Sequence, residues 1–219
     1  MKLLVALLAV ATSVAAACDR GATADDRRAP HGRHDARDAR DDDQQAAFDR
    51  ERRPDLVVAT IDLHPGDVVA DVGAGTGLLT IHIARAVTPG GKVVATDVDS
   101  GVLDLLAARM HDAGLDGVVE RRVVPSDDPS LEAGTYDVIL LAQVDHFFED
   151  RVAWLRTALP ALKPGGKLVI TNRMHHRAPA MDAAEQAGLH LVRESTDVPG
   201  SFVAVFQLAA PTPPAKDSP

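Results

Sequence analysis

The chain has 219 residues, 46% hydrophobic and 25% charged, enough for one α/β domain with a full core but not for two large ones. A formal net charge of −9 excludes an extended phosphate-binding surface, which needs a clustered excess of Lys and Arg, and a single Trp and a single Tyr leave no platform for stacking nucleic-acid bases. One cysteine excludes an intrachain disulfide and any CxxC metal or redox motif.

The first segment reads as an export signal. Lys2 supplies a positive start, residues 3–17 form an uncharged and largely apolar run, and Ala15, Ala16 and Ala17 make a small-residue cleavage site. The run is shorter than the roughly 20 residues that a spanning helix needs. Cys18 follows directly, and the string resembles a bacterial lipoprotein lipobox, with Ala15 where leucine is usual. That resemblance implies a lipidated Cys18 and an exported, membrane-anchored or periplasmic protein. Simple secretion, an uncleaved anchor or a later start codon are the alternatives, and the last would leave the protein in the cytoplasm. Residues 19–43 (DDRRAPHGRHDARDARDDD and its flanks) carry almost no large apolar side chains and read as a disordered tether, in which His31 and His34 are solvated. Residues 209–219 (AAPTPPAKDSP) read as a Pro-rich disordered tail.

Between them, 44–208 alternates helical and strand patterns. A helix over 44–52 precedes Pro54, and a second over 55–62 ends before the turn His64-Pro65-Gly66, which opens the apolar run Val68-Val69-Ala70. A helix over 76–87, the turn Pro89-Gly90-Gly91, a strand over 92–96, a helix over 102–113 and a strand over 118–124 follow. YDVILLA at 136–142 runs into a continuously apolar stretch after Asp137, as expected of a strand buried on both faces of a parallel sheet. A helix over 151–162, a turn at 163–166, a strand over 167–171 and a helix over 179–187 come next. The strands predicted at 189–194 and 201–208 have no room for a crossover helix between them, so they must pair antiparallel. The fold class predicted is α/β: a doubly wound, mostly parallel, seven-stranded sheet with an antiparallel last strand.

VVADVGAGTGLLT runs from a strand through a glycine-rich loop into a helix start. Gly73, Gly75 and Gly77 let backbone approach a ligand and take positive φ, while Thr76 and the amides after it open a helix N-terminus. The nicotinamide fingerprint would need Gly or Ala at 78, where Leu78 stands. With Asp71 ahead of the glycines, the string resembles motif I of class I S-adenosylmethionine (SAM)-dependent methyltransferases. The resemblance spans about residues 48–208 and implies SAM as cofactor, Asp71 near its amino-acid end and the glycines packed against it. The antiparallel last strand is a mark of the same family.

A carboxylate at the end of the next strand should accept the ribose hydroxyls. KVVATDVDS supplies Asp97, beside Val98, about 20 residues after the glycine loop; Asp99 either substitutes for it or caps the following helix. The loop after the third strand offers Ser126, Asp127 and Asp128 to the adenine, or else simply forms a capped turn before Pro129.

DDPSLEAGTYDVILLAQVDHFFEDR resembles a narrower bacterial group with a pattern like DDPRLPxGSxDLVLxxDxYHHxxDR, often on exported or lipoprotein-like chains, and LKPGGKLVI and AGLHLVRESTDVPGSFVAVF continue the match. His146-Phe147 stands where that group has His-His, and the segment between Thr171 and Met181 looks shortened. Substrate loops sit there, so the group's substrate does not carry over.

Methyl transfer is an in-line displacement in which positioning supplies most of the acceleration. Where the nucleophile has a proton to lose, Asp145 and His146, at the end of the fourth strand, are the predicted catalytic residues; the other reading makes His146 a wall of the cofactor pocket. His175 and His176 either face the site or lie in a solvated loop. Asp145 and Asn172 lie where a metal-dependent enzyme would place ligands, but a third oxygen ligand is missing, so no metal is expected. The predicted function is a SAM-dependent methyltransferase acting on a small molecule, with no nucleic-acid partner and a membrane contact only through a lipid at Cys18. The alternatives are a SAM-binding module without catalysis, which the export signal favours because SAM is made in the cytoplasm, and a nonenzymatic NAD binder.

Overall fold

The computed structural model describes residues 43–208; the export signal, Cys18, nearly all of the tether and the Pro-rich tail fall outside them. Residues 43–52 form helix α1, followed by α2 (Pro54–Ile61), β1 (Val68–Val72), α3 (Thr80–Val87), β2 (Lys92–Asp97), α4 (Ser100–Asp112), β3 (Val119–Val123), β4 (Tyr136–Ala142), α5 (Arg151–Ala158), β5 (Leu162–Arg173), α6 (Arg177–Gln186), β6 (Leu189–Ser195) and β7 (Ser201–Leu208). The seven strands lie in one sheet in the order β3-β2-β1-β4-β5-β7-β6, with β1 to β5 parallel and β7 antiparallel to both its neighbours. The doubly wound, mostly parallel sheet with the antiparallel ending is the predicted architecture.

Side-chain alternation divides the core. On one face Ile139 and Leu141 of β4, with Leu168 and Ile170 of β5, pack against Trp154 and Leu155 of α5 and Ala180 and Ala184 of α6. On the other, Val138 and Leu140, with Val69 and Val93, pack against Val57 and Ile61 of α2, Ile81 and Ile83 of α3, and Leu103 and Leu106 of α4. Each buried Val, Leu or Ile among them contributes about 1.5–3 kcal/mol, which is why β4, apolar on both faces from Val138 to Ala142, occupies the middle of the sheet.

Several boundaries differ from those predicted, each for a local reason. The helix expected from Thr76 begins at Thr80, because Gly77 has φ of 82°, which no helix accommodates. Helix α4 starts at Ser100 on an Asp99 cap, the Asp99 carboxylate accepting the Gly101 N–H at 2.7 Å. Helix α5 ends at Ala158 and tightens into a 3-10 turn around Pro160, which has no N–H to continue the ladder. The segment 163–166, predicted as a turn, lies within β5 as a bulge with Gly165 at φ of 78°: Leu162 pairs with Tyr136, and regular pairing resumes with Val138 opposite Lys167. Helix α6 starts at Arg177, with Pro179 in its first turn.

The chain winds outward from β1 to β2 and β3, then returns to place β4 on the other side of β1. That reversal leaves a crevice beyond the carboxyl ends of β1 and β4, the place where open α/β sheets bind ligands.

Candidate active site

The DVGAGTG loop leaves β1 into this crevice. Gly73, Gly75 and Gly77 all have positive φ (69°, 55° and 82°), but their surroundings differ. A Cβ on Gly73 would lie 2.7 Å from Val144 Cγ2 and one on Gly77 2.8 Å from Leu106 Cγ, whereas one on Gly75 would meet nothing within 4 Å. Gly73 and Gly77 therefore serve the closeness of loop to protein, and Gly75 leaves the crevice open.

Two cavities flank the loop, and Gly73 and Gln143 line both. The first, of about 340 Å3, is bounded by Asp71, Gly73, Gly75, Thr76, Gln143, Thr171 and, from the N-terminal helix, Phe48 and Arg52. The second, of about 300 Å3, runs over Asp97, Val98, Val124, Ser126 and Asp128 to Val144, Phe148 and Trp154.

Asp71 is 1% exposed at the floor of the first cavity. Burial raises its pKa to about 6; the Thr80 hydroxyl, donating at 2.7 Å, works against the rise and the nearby Asp97 charge adds to it. Above it, α1 forms a roof tied to the glycine loop: Arg109 Nε donates to the Thr76 carbonyl at 3.0 Å and its Nη1 to Gln45 Oε1 at 3.1 Å, while Gln45 Nε2 donates to the Leu78 carbonyl at 3.0 Å. Arg52 donates to Gln143 Oε1 at 3.0 Å, and its pKa is lowered by partial burial and by Arg173. Gln143 itself has φ of 58°, a costly conformation for a non-glycine residue and one that clusters at functional sites.

In the second cavity, Asp97 ends β2 with Oδ2 accepting the Gly75 N–H at 2.9 Å and Oδ1 the Asp99 N–H at 3.1 Å. Asp97 lines the cavity and Asp99 caps α4, so the two candidates are separated by position. Val98 is 61% exposed at the rim. Ser126 and Asp128 line the same cavity, Asp128 also accepting the Ser130 N–H at 2.8 Å. Asp127 instead lines a neighbouring depression with Glu149 and Asp150, beside Ser126 but away from Asp97.

Asp145 and His146 sit in a 3-10 turn just beyond β4. Asp145 is 2% exposed; its Oδ1 accepts the Asn172 amide at 2.7 Å, and its Oδ2 lies 3.4 Å from Arg151 Nε without a hydrogen bond. Oδ1 is thus committed to Asn172, while Oδ2 is buried without a hydrogen-bond partner among the described residues. His146 is half-buried, with Nδ1 3.0 Å from the same Asn172 amide nitrogen, and its ring stacks on His176 at a centroid distance of 4.4 Å. His175 packs against His176 at 4.0 Å, so these histidines join one cluster rather than separate loops. The His176 pKa is lowered by desolvation and by its two histidine neighbours. Among the described residues no group of three or more His, Cys, Asp or Glu is placed to hold a metal ion, and no helix is long and apolar enough to cross a membrane.

Reading the sequence did not find Arg52, Gln143, Phe148 or Trp154. One arginine of the Arg50-Glu51-Arg52-Arg53 run before Pro54, or a glutamine after a strand, carries no motif. Arg52 and Gln143 owe their place to the α1 roof and a backbone angle, and Phe148 and Trp154 to packing around the second cavity, none of which has a sequence signature.

Residues 70–168 match the family model described as a methyltransferase domain. A nocamycin O-methyltransferase of Saccharothrix syringae is 32% identical over 111 residues, which is 51% of this chain and 39% of the relative. A ubiquinone/menaquinone biosynthesis C-methyltransferase, UbiE, of Idiomarina loihiensis is 32% identical over 105 residues, 48% of this chain and 42% of the relative. The chain thus spans about two fifths of the length of the curated relatives it matches. Among solved structures, a SAM-dependent methyltransferase from Aquifex aeolicus superposes with a TM-score of 0.69 at 21% identity, covering 74% of this chain and 93% of the other. A TehB-like SAM-dependent methyltransferase from Corynebacterium glutamicum superposes with a TM-score of 0.59 at 21% identity, covering 81% and 99%. The fold is that of the class I methyltransferases, and the cofactor of the domain is SAM.

Proposed function

We propose that the protein is a SAM-dependent methyltransferase that acts on a small-molecule acceptor. The observation that carries this is the pair of cavities meeting at Gly73 and Gln143, one reaching the Asp97 carboxylate and the other reaching buried Asp71 and the Arg52 guanidinium. Their chemistry fits the two ends of SAM. Asp97 would accept the ribose hydroxyls, with one oxygen already oriented by Gly75 N–H. Val98, Val124, Ser126 and Asp128 would hold the adenine. Arg52, whose guanidinium bonds only the neutral Gln143 among the described residues, would take the carboxylate of the methionine part, and Asp71 its ammonium. When bound, SAM supplies an electrophilic methyl group on a sulfonium. The protein orients it through the glycine loop and excludes water with the α1 roof, so that proximity provides the acceleration.

The acceptors named for the nocamycin O-methyltransferase and UbiE belong to those proteins. We extend to this chain only their general class, a small organic molecule. The DDPSLEAGTYD…DHFFEDR string supports placing the chain near the exported, lipoprotein-like group, and Cys18 supports a lipid anchor. The second reading, a SAM-binding module without turnover, rests on that export signal. Calorimetry with SAM and with S-adenosylhomocysteine tests the first step, and absence of heat for both overturns the proposal. Incubation with methyl-labelled SAM and cell extracts tests the second; binding without label transfer to any fraction decides for the noncatalytic module.

A further inference from the structure

The Asn172 amide is fixed in orientation by its own surroundings. Its Oδ1 accepts the Arg173 backbone N–H at 2.8 Å, a contact that an amide nitrogen cannot make. Its Nδ2 therefore faces the other two groups, donating to Asp145 Oδ1 at 2.7 Å and to His146 Nδ1 at 3.0 Å. Buried Asp145, held from behind by Arg151, secures the arrangement. With Nδ1 accepting, the neutral His146 ring must carry its hydrogen on Nε2. That nitrogen has no hydrogen-bond partner among the described residues, and the ring is half-buried rather than enclosed.

We propose that His146 meets the methyl acceptor as a hydrogen-bond donor through Nε2–H and not as a base, and that the acceptor is a planar conjugated oxyanion, such as a phenolate or enolate. This rests on the methyltransferase reading above. The surroundings agree with such a guest. Phe147, 76% exposed, packs its ring 4.0 Å from His146, and Met174, 44% exposed, opens the turn that carries His175 and His176. Phe147 and Met174 thus add apolar and aromatic surface beside the His146, His175 and His176 rings. The turn that carries His146 adjoins the cavities: Phe147 lines the second, and Gln143, which lines both, is three residues before His146 and donates its N–H to the carbonyl of Thr171, the neighbour of Asn172. An acceptor bound as the oxyanion loses no proton when its oxygen–carbon bond forms and the sulfonium–carbon bond breaks. A donor is then sufficient, and Asp145 and Asn172 are positioning residues that set the His146 tautomer.

Two measurements test this. Long-range proton–nitrogen correlation spectra of the 15N-labelled full chain, with His146 assigned from a His146→Gln variant, should show Nδ1 unprotonated and Nε2 protonated, and Asn172→Asp should reverse the two. An unprotonated Nε2 in the unmutated protein overturns the proposal whether or not SAM binds. The second uses 4-nitrophenol as the probe on the protein loaded with S-adenosylhomocysteine. Its phenolate absorbance should report an ionisation constant raised about tenfold on binding, as expected for one charge-assisted hydrogen bond. His146→Phe should abolish the shift, and His146→Gln, which keeps an N–H donor, should retain most of it. Absence of the shift, or its persistence in His146→Phe, overturns the proposal. Failure of S-adenosylhomocysteine to bind is seen in its own titration and counts against the methyltransferase reading instead.

Discussion

The Asp97 carboxylate at the end of β2 accepts the Gly75 N–H at 2.9 Å, so the second strand and the glycine loop of the first are joined at the point where both meet the ligand. Asp97→Ala removes both that tie and the proposed ribose acceptor. It should weaken SAM binding by about 1.5–3 kcal/mol, roughly 10- to 100-fold, in calorimetry. Asp97→Asn, which keeps one oxygen but no charge, should fall between the two. Unchanged affinity in the alanine variant would remove Asp97 from the site.

Asp71 makes stability depend on pH in a direction that can be worked out. Its carboxyl has a folded-state pKa of about 6 against an ordinary 3.8, so between these values the folded protein holds a proton that the unfolded chain has lost. The associated stability is present below pH 4 and is lost as pH rises through 6, a change on the order of 3 kcal/mol. Asp71→Asn has no such term. Urea denaturation from pH 4 to 7 should therefore show the unmutated protein losing ground to Asp71→Asn as pH rises. Glu120, Glu132 and Glu194, whose pKa values are lowered by Lys92, Tyr136 and Arg177 respectively, act in the opposite sense but cancel in the comparison.

Gly75 and Gly77 should separate binding from stability. Gly77→Ala places a Cβ 2.8 Å from Leu106 Cγ and 3.3 Å from Met110 Cε at φ of 82°, and should cost about 2–4 kcal/mol through overpacking and backbone strain. Gly75→Ala meets open space at φ of 55° and should cost only about 1 kcal/mol of strain. Because that open space belongs to the crevice, Gly75→Ala should lose more SAM affinity than stability. Equal thermal shifts in the two variants would contradict this division.

Trp154, the single tryptophan, lines the proposed adenosine cavity and stacks on Phe148 at 4.2 Å. Its fluorescence should change on titration with S-adenosylhomocysteine or adenosine and stay unchanged with methionine. A response to methionine alone would reverse the assignment of the two cavities.

How far the sequence reached is visible in these residues. Asp71, the three glycines and Asp97 were legible because each answers a local demand of the strand–loop–helix unit and its neighbour: positive φ, close approach, a carboxylate at a strand end. β4 and the antiparallel ending were legible because burial on both faces and a short connection leave marks in the order of residues. The start of α3 was misplaced because a helical pattern does not reveal that Gly77 takes positive φ, and 163–166 was read as a turn because Pro and Gly punctuate extended chain at a bulge as well as at a turn.

The sequence by itself determined the sheet, the cofactor loop and the carboxylate opposite it, since these depend on residues close along the chain. Only the tertiary structure decided that Arg52 and α1 roof the site, that Asp99 caps while Asp97 lines, that Asp128 lines the Asp97 cavity while Asp127 lines the depression beside it, and that Asp145 accepts from Asn172. Each of those depends on which distant partner a polar group finds when the chain packs. Asn172 and His146 are 26 residues apart, and the proton on the imidazole is set by an amide whose direction is fixed by one backbone N–H.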